Sequence, residues 1–210
     1  MTFLEIILTI LISYSLGALP IAYIIARIKG VNIFEKGSGN MGATNVARSV
    51  GYKWALLAAA LDILKGVVAI IIVRAIVAED QHAAATILAA ICAVFGHMYT
   101  ILTLPITGRI QGGKGVATAF GTWFVFIDPL IIATIIVFLV FVVWATRYVS
   151  LGSVSIQFIM TAVITLLVAG GNLDSAYLAY VVICALIVFR HRENIRALIA
   201  GRERKWGQKA

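Results

Sequence analysis

The sequence predicts an all-α integral membrane protein: a polytopic bundle of about seven transmembrane helices, N-terminus outside, C-terminus cytoplasmic. Three observations predict it. Of the 210 residues, 62% are hydrophobic and 12% charged, and the mean hydropathy is +1.03. That is more apolar surface than an ordinary soluble domain hides. The apolar residues form continuous runs of about 20, enough to cross a hydrocarbon core about 30 Å thick. They lack the alternation of barrel strands, so helices must satisfy the backbone inside the lipid. The basic residues, finally, gather in every second connection.

The first span runs from Phe3 to Ile28, bent at Gly17 and Pro20. Its start is not a cleavable signal, because it has no basic head, carries Glu5 and is too long. The second runs from Trp54 to Ala78 and holds Asp62 and Lys65 on one face, three residues apart. Ionisable groups inside a bilayer are costly unless paired, so an internal ion pair is the simplest reading and a polar wall of an active site the sharper one. The third runs from His82 to about Leu104. The fourth, Val116 to Ile127, has only 12 residues and rises about 18 Å as a helix. It must start deep, tilt or re-enter, and a re-entrant hairpin with the fifth would leave five spans. Asp128-Pro129 turns into the fifth, Leu130 to Thr146; the sixth is Val154 to Ala169 and the seventh Leu173 to Phe189. Residues 1–210 read as one membrane domain. Cys92 and Cys184 lie inside apolar spans and read as free packing residues.

Fifteen of the 17 Lys and Arg residues fall on one side: Arg27, Lys29, Lys36, Arg48 and Lys53 after span one, Arg109 and Lys114 after span three, Arg147 after span five, and seven from Arg190 to Lys209. These regions are expected to be cytoplasmic. The formal charge of +8 therefore describes one face, and no nucleic-acid partner is expected. For Arg202, Arg204, Lys205 and Lys209, attraction to anionic headgroups is explanation enough.

Two glycine-rich connections ask for more. In "GSGNMGATNVAR", Gly37 to Arg48, glycines free backbone N–H groups, Ser38, Asn40, Thr44 and Asn45 add neutral polar groups, and Arg48 adds a forked cation. Many donors with little negative charge suit a phosphate, although a linker with a helix cap is the bland alternative. In "GRIQGGKGVATAFG", Gly108, Gly113 and Lys114 meet a P-loop spacing, but Gly115 stands where Ser or Thr would hold magnesium and no strand precedes. Nucleotide hydrolysis is thus disfavoured. A glycine turn with a lysine at a helix start still favours an anion.

The third region is "RHRENIRALIAG", Arg190 to Gly201. If the helix continues, His191 and Asn194 share a face, while the arginines read as a basic stop to the span. Taken alone, His97 in "FGHMY" reads as a structural histidine, and Ser150 and Ser153 in "SLGSV" either donate hydroxyls to a ligand or cap span six, the cap fitting serine's place before an apolar run. The nine acids are scattered. No carboxylate cluster for magnesium, no His/Cys set for zinc and no histidine-x-x-x-x-aspartate box is present.

"GSGNMGATN", "LDILKG", "GGKGVATAFG", "SLGS" and "RHRENIRALIAG", in that order along nearly the whole chain, resemble the bacterial acyl-phosphate:glycerol-3-phosphate acyltransferases, the PlsY family. The resemblance implies acyl transfer from a fatty acyl phosphate to the 1-hydroxyl of glycerol 3-phosphate. The products are lysophosphatidic acid and inorganic phosphate, with no metal or other cofactor. It implies a multi-pass protein of the bacterial cytoplasmic (inner) membrane, its site on the cytoplasmic side, supplied by an upstream acyl-phosphate-forming enzyme. Matched by motif, Ser38, Arg48, Lys114, His191 and Asn194 are expected at the catalytic centre. Asn40, Thr44, Asn45, Gly112, Gly113, Gly115, Ser150, Ser153 and His97 are expected to bind substrate. The segment from Thr100 to Gln111 is about five residues longer than the family pattern, within ordinary loop variation. The reading from another class is a transporter of a small phosphorylated metabolite. Against it, the polar motifs share one face and no inverted pair of broken helices is evident.

Overall fold

The computed structural model describes residues 1–208, so Lys209 of the basic tail lies outside the described residues. Helix α1 (Phe3–Ala18) starts at a capping box. The Thr2 hydroxyl accepts from the Glu5 backbone N–H at 3.2 Å, and the Glu5 carboxylate accepts from Thr2 N–H at 2.6 Å. Pro20 cannot continue the ladder, so the span breaks there and resumes as α2 (Ile21–Ile28). The following polar loop leads to α3 (Ala43–Ser49) and the long α4 (Tyr52–Ile76). Next come α5 (His82–Met98), the single turn α6 (Leu104–Thr107) and α7 (Val116–Trp123). Helices α8 (Pro129–Thr146), α9 (Val149–Ala169), α10 (Tyr180–Arg190) and α11 (Arg192–Ile199) complete the bundle. Among the described residues, five segments are long and apolar enough to cross a membrane. A sixth, Ser175–Arg190 with Arg192–Ile199, is bent by 58°.

Two helix pairs approach closely because small residues face each other. A Cβ on Gly17 of α1 would lie 2.0 Å from the Ala93 carbonyl oxygen of α5, and one on Gly96 of α5 would lie 2.4 Å from that of Tyr14. Helices α4 and α7 cross in the same way at Gly66 and Gly121. The main core lies among α4, α5, α7, α9 and α10, around Trp123, Tyr180, Ile156, Met160 and Ile183. A smaller one joins α2, α3 and α4 through Ile25, Ile33, Met41 and Val46. Helix α8 leans chiefly on α9 and exposes Val137, Val140, Phe141 and Trp144.

The short fourth segment is helical over eight residues only, about 12 Å; Phe124 to Ile127 form a turn rather than more helix. It packs against α4, and its turn extends to the far end. There Arg74 donates to the Val125 carbonyl at 3.5 Å, to Thr86 Oγ1 at 2.8 Å and to the Tyr177 hydroxyl at 2.9 Å. The Met1 amine also reaches that end, donating to Gln81 Oε1 at 2.8 Å. The glycine-rich loops and the C-terminal tail lie at the opposite end.

Span six departs from expectation. Helix α9 begins at Val149, and its N-cap is Tyr148, with no side-chain cap. Ser150 and Ser153 are therefore inside its first turns and do not cap it. Arg147, in the left-handed region at φ 64°, turns the chain so tightly that two residues separate α8 from α9. The Ser150 hydroxyl donates to Glu203, and both serines line one cavity.

Candidate active site

One cavity of about 440 Å³ gathers all but one of the residues expected at the site. Its first wall is the loop ahead of α3. Asn45, buried at the start of α3, donates from Nδ2 to the carbonyls of Ile33 (3.1 Å), Lys36 (3.1 Å) and Asn40 (3.0 Å), and its Oδ1 accepts from Ser38 N–H (3.0 Å). The amide is fully occupied in curling the loop. Asn45 thus lines the cavity but spends its polar atoms on the backbone, and Ser38, Asn40 and Thr44 line the same space. Gly37 sits at φ 58°, and a Cβ there would meet Asn45 Oδ1 at 2.1 Å. Arg48 reaches the same cavity from the last turn of α3.

The second wall is the turn Gly112–Gly115. Gly113 N–H donates to the His97 carbonyl at 3.0 Å. Arg190, at the end of α10, donates to the Gly112 carbonyl at 3.0 Å and to that of Gly113 at 3.1 Å while lying over the Tyr99 ring. A Cβ on Gly113 would be 2.1 Å from His97 Nε2 and 2.5 Å from the Met41 carbonyl, so the two loops and His97 touch. Gly112 is the exception to the predicted set. It stands behind the wall against His97 O, and only Gly113, Lys114 and Gly115 face the cavity.

His191 and Asn194 do not ride on one continuous helix, because the break between α10 and α11 falls at His191. Both still line the cavity. His191 is buried, and its Nδ1 lies 2.8 Å from the Ile187 carbonyl. A carbonyl only accepts, so Nδ1 carries the hydrogen and Nε2 is left as an acceptor. Burial and the neighbouring Lys114 push this imidazole down to about 4, so it is neutral at ordinary pH. Lys114 Nζ donates to Asn194 Oδ1. Burial lowers this ammonium to about 8, with Glu203 opposing the shift. Burial and then Arg204 lower the Arg48 guanidinium from its ordinary value.

At the floor of the cavity the expected ion pair is present and is larger than a pair. Lys65 Nζ lies 2.7 Å from Asp62 Oδ1, 2.8 Å from His97 Nδ1 and 3.1 Å from the Leu19 carbonyl. His97 is thus tied into a polar cluster that spans α1, α4 and α5, and it supports Gly113.

Three residues of this region escaped the reading of the sequence. Arg190 was assigned to a basic stop, yet it clamps the glycine turn. Glu203 accepts from Ser150 Oγ at 2.7 Å and from Asn194 Nδ2 at 2.8 Å. Arg204, assigned to lipid headgroups, lines the cavity. The only signal for Glu203 was its isolation, a lone acid amid Arg202, Arg204 and Lys205. Arg109, by contrast, faces a separate cavity of about 520 Å³ with Arg27 and Gln111. The longer segment around it folds on Thr103, whose hydroxyl lies within 3.1 Å of the Thr100, Arg109 and Gln111 carbonyls.

Beyond its polar end the cavity is apolar, lined by Ile63, Val116, Phe120, Ile136, Leu139 and Ile156. A site with several cationic and amide donors at one end and a greasy groove at the other suits an amphiphile bearing phosphate.

Comparison with known proteins bears on this geometry. A family profile described as Glycerol-3-phosphate acyltransferase matches residues 7–201. Glycerol-3-phosphate acyltransferase 1 of Deinococcus radiodurans is 44% identical over 203 residues, covering 97% of this chain and 96% of that protein. The Aquifex aeolicus glycerol-3-phosphate acyltransferase is 39% identical over 198 residues, covering 94% and 97%. A crystal structure of PlsY (YgiH), an integral membrane glycerol 3-phosphate acyltransferase, in its glycerol 3-phosphate form, superposes with a TM-score of 0.81 at 35% identity, covering 96% of each chain. The lysophosphatidic acid form gives 0.79 at 35% identity, covering 96% and 95%. Fold and length agree, and the chain belongs to the PlsY family of glycerol-3-phosphate acyltransferases.

Proposed function

We propose that this protein transfers a fatty acyl group from an acyl phosphate to the 1-hydroxyl of glycerol 3-phosphate. The products are lysophosphatidic acid and inorganic phosphate. The observation that carries the reading is the single cavity in which Arg48, Lys114, His191 and Asn194 stand at one end of an apolar groove against α8 and α9. The named reactions of its relatives support the acceptor and the product.

In this reading Arg48 and Lys114 neutralise the two phosphates, with Ser38, Asn40 and the Gly113 turn orienting them. The glycerol oxygen attacks the acyl carbon, and the carbon–oxygen bond to phosphate breaks. The electrons of that bond leave with inorganic phosphate, and the hydroxyl proton passes to the same phosphate. His191 holds the attacking hydroxyl at Nε2 but does not keep its proton, since its basicity is too low. The acyl chain lies along Phe120, Leu139 and Ile156. No step calls for a metal.

The topology belongs to the same proposal. Seven crossings result if the bent first span, α4, α5, α7 with its turn, α8, α9 and α10 each count once. The N-terminus is then outside a bacterial cytoplasmic membrane and the cavity on the cytoplasmic side. The basic residues around the cavity support that orientation. An upstream enzyme that makes acyl phosphate supplies the donor.

The test is single-turnover transfer by detergent-purified protein, using palmitoyl phosphate and labelled glycerol 3-phosphate with chelator present. The wild type is expected to form lysophosphatidic acid, and Lys114→Ala to lose about 10²–10³ in rate. Absence of product from both palmitoyl phosphate and palmitoyl-CoA would overturn the assignment.

A further inference from the structure

The segment Arg202–Gln208, after α11, is basic, yet its one acid turns inward. Glu203 is half-buried and accepts from Ser150 on α9 and Asn194 on α11. The rest of the tail is anchored on both sides of the cavity. Trp206 N–H donates to the Arg147 carbonyl at 2.6 Å, and Arg147 Nη2 donates to the Trp206 carbonyl at 3.1 Å. The Trp206 ring lies 5.2 Å from that of Tyr52, at the start of α4.

The chemistry of the Asn194 amide gives this contact its meaning. A carboxylate only accepts and an ammonium only donates. With Glu203 at one edge of the amide and Lys114 at the other, one orientation alone satisfies both: Nδ2 toward Glu203 and Oδ1 toward Lys114. Without Glu203, the NH₂ edge of the amide loses its acceptor and only the lysine contact is left to fix the side chain. We propose that Glu203 is a positioning residue for acyl transfer, which holds Asn194 so that Lys114 is aimed into the cavity, and that the docked tail is part of the site. This rests on the acyltransferase reading above.

Lys114 is surrounded by charge from several elements: Arg48 on α3, Arg190 on α10, Glu193 on α11 and Glu203 on the tail. Neutral His191 stands between α10 and α11. Glu203 is the larger of the two acidic influences that keep this ammonium protonated. The sign of a pH test follows. Removing the negative charge lowers Lys114 further below about 8, so activity is lost at lower pH as the lysine deprotonates.

The experiment compares wild type, Glu203→Gln, Glu203→Asp and Trp206→Ala in kcat/KM for glycerol 3-phosphate between pH 6 and 10. Glu203→Gln is expected to lose about tenfold at pH 7 and to move its alkaline limb down by about one pH unit. Glu203→Asp should recover most of both. Trp206→Ala, which loosens the anchor, should shift the limb the same way by less. A Glu203→Gln profile that overlays the wild type, or an aspartate no better than the glutamine, overturns the proposal. A second readout, pH-dependent acetylation of Lys114 by acetic anhydride, measured by mass spectrometry, needs no turnover. Earlier labelling in Glu203→Gln, or in Trp206→Ala should the glutamine variant not fold, supports the positioning role; an unchanged curve defeats it. If the wild type makes no lysophosphatidic acid, the acyltransferase reading fails while the labelling curves still decide on Glu203.

Discussion

The two glycine-bearing loops that meet in the cavity are built by opposite means. The loop before α3 is held from inside: one buried amide, Asn45, binds three carbonyls and one N–H within 12 residues of itself. The Gly112–Gly115 turn has no such residue. It is held from outside, by the His97 backbone at the end of α5 and by Arg190, 77 and 78 positions further along the chain. A locally organised loop keeps its shape as long as its own segment folds. The other is shaped only when α5 and α10 have docked, so its order depends on the whole bundle. The position of Lys114 is therefore more sensitive to distant change than that of Ser38 or Arg48.

Substitutions can break this contrast. Gly113→Ala has the largest expected effect among them. Its Cβ would collide with His97 Nε2 and with the Met41 carbonyl, displacing the Lys114 turn by a fraction of an ångström or more. A loss of at least about 100-fold in turnover is expected, with an intact far-end core by tryptophan fluorescence. Asn45→Ala strands four backbone groups of the first loop. It should cost about 1–3 kcal/mol for each such group that water does not reach, read as a lower Tm together with a raised KM for glycerol 3-phosphate. If both loops are equally local in origin, Arg190→Lys will be silent. The contrast instead predicts about a tenfold loss in kcat/KM, because a lysine lacks the planar fork whose Nε and Nη2 donors together reach the Gly112 and Gly113 carbonyls. His191→Gln sharpens the comparison from the point where the loops face each other. A general base contributes about 10²–10⁴, but a hydroxyl-holding group much less. A loss under about tenfold is expected in single-turnover assays, and loss of all turnover with unchanged substrate binding would restore His191 as the base.

Much of the site was legible in the linear order of residues, and for a reason. Ser38, Asn40, Thr44 and Arg48 lie in one polar stretch that cannot sit in lipid, and Lys114 stands in another. The Asp62–Lys65 pair announced itself by the cost of burying either charge alone. Glu203 and Arg190 were not legible. Nothing about an arginine at a span end distinguishes one that clamps a loop from one that meets headgroups. Nothing about a glutamate in a basic tail says that the tail folds back. Ser150 and Ser153 were misread for a related cause: serines before an apolar run usually begin a helix, and here a left-handed Arg147 lets the helix begin earlier.

By itself, the order of residues determined the helical, membrane-embedded character of the chain and the gathering of its polar loops at one end. Hydrocarbon permits few backbone solutions, and charge seldom crosses it. Only the tertiary structure decided which loop residues face the cavity and which serve the loops, that the fourth segment is a short helix continued by a turn, and that the last basic residues surround an inward acid. Those outcomes depend on contacts between positions far apart in the chain, such as Arg190 with Gly113 and Glu203 with Ser150. No local pattern of residues encodes such pairings.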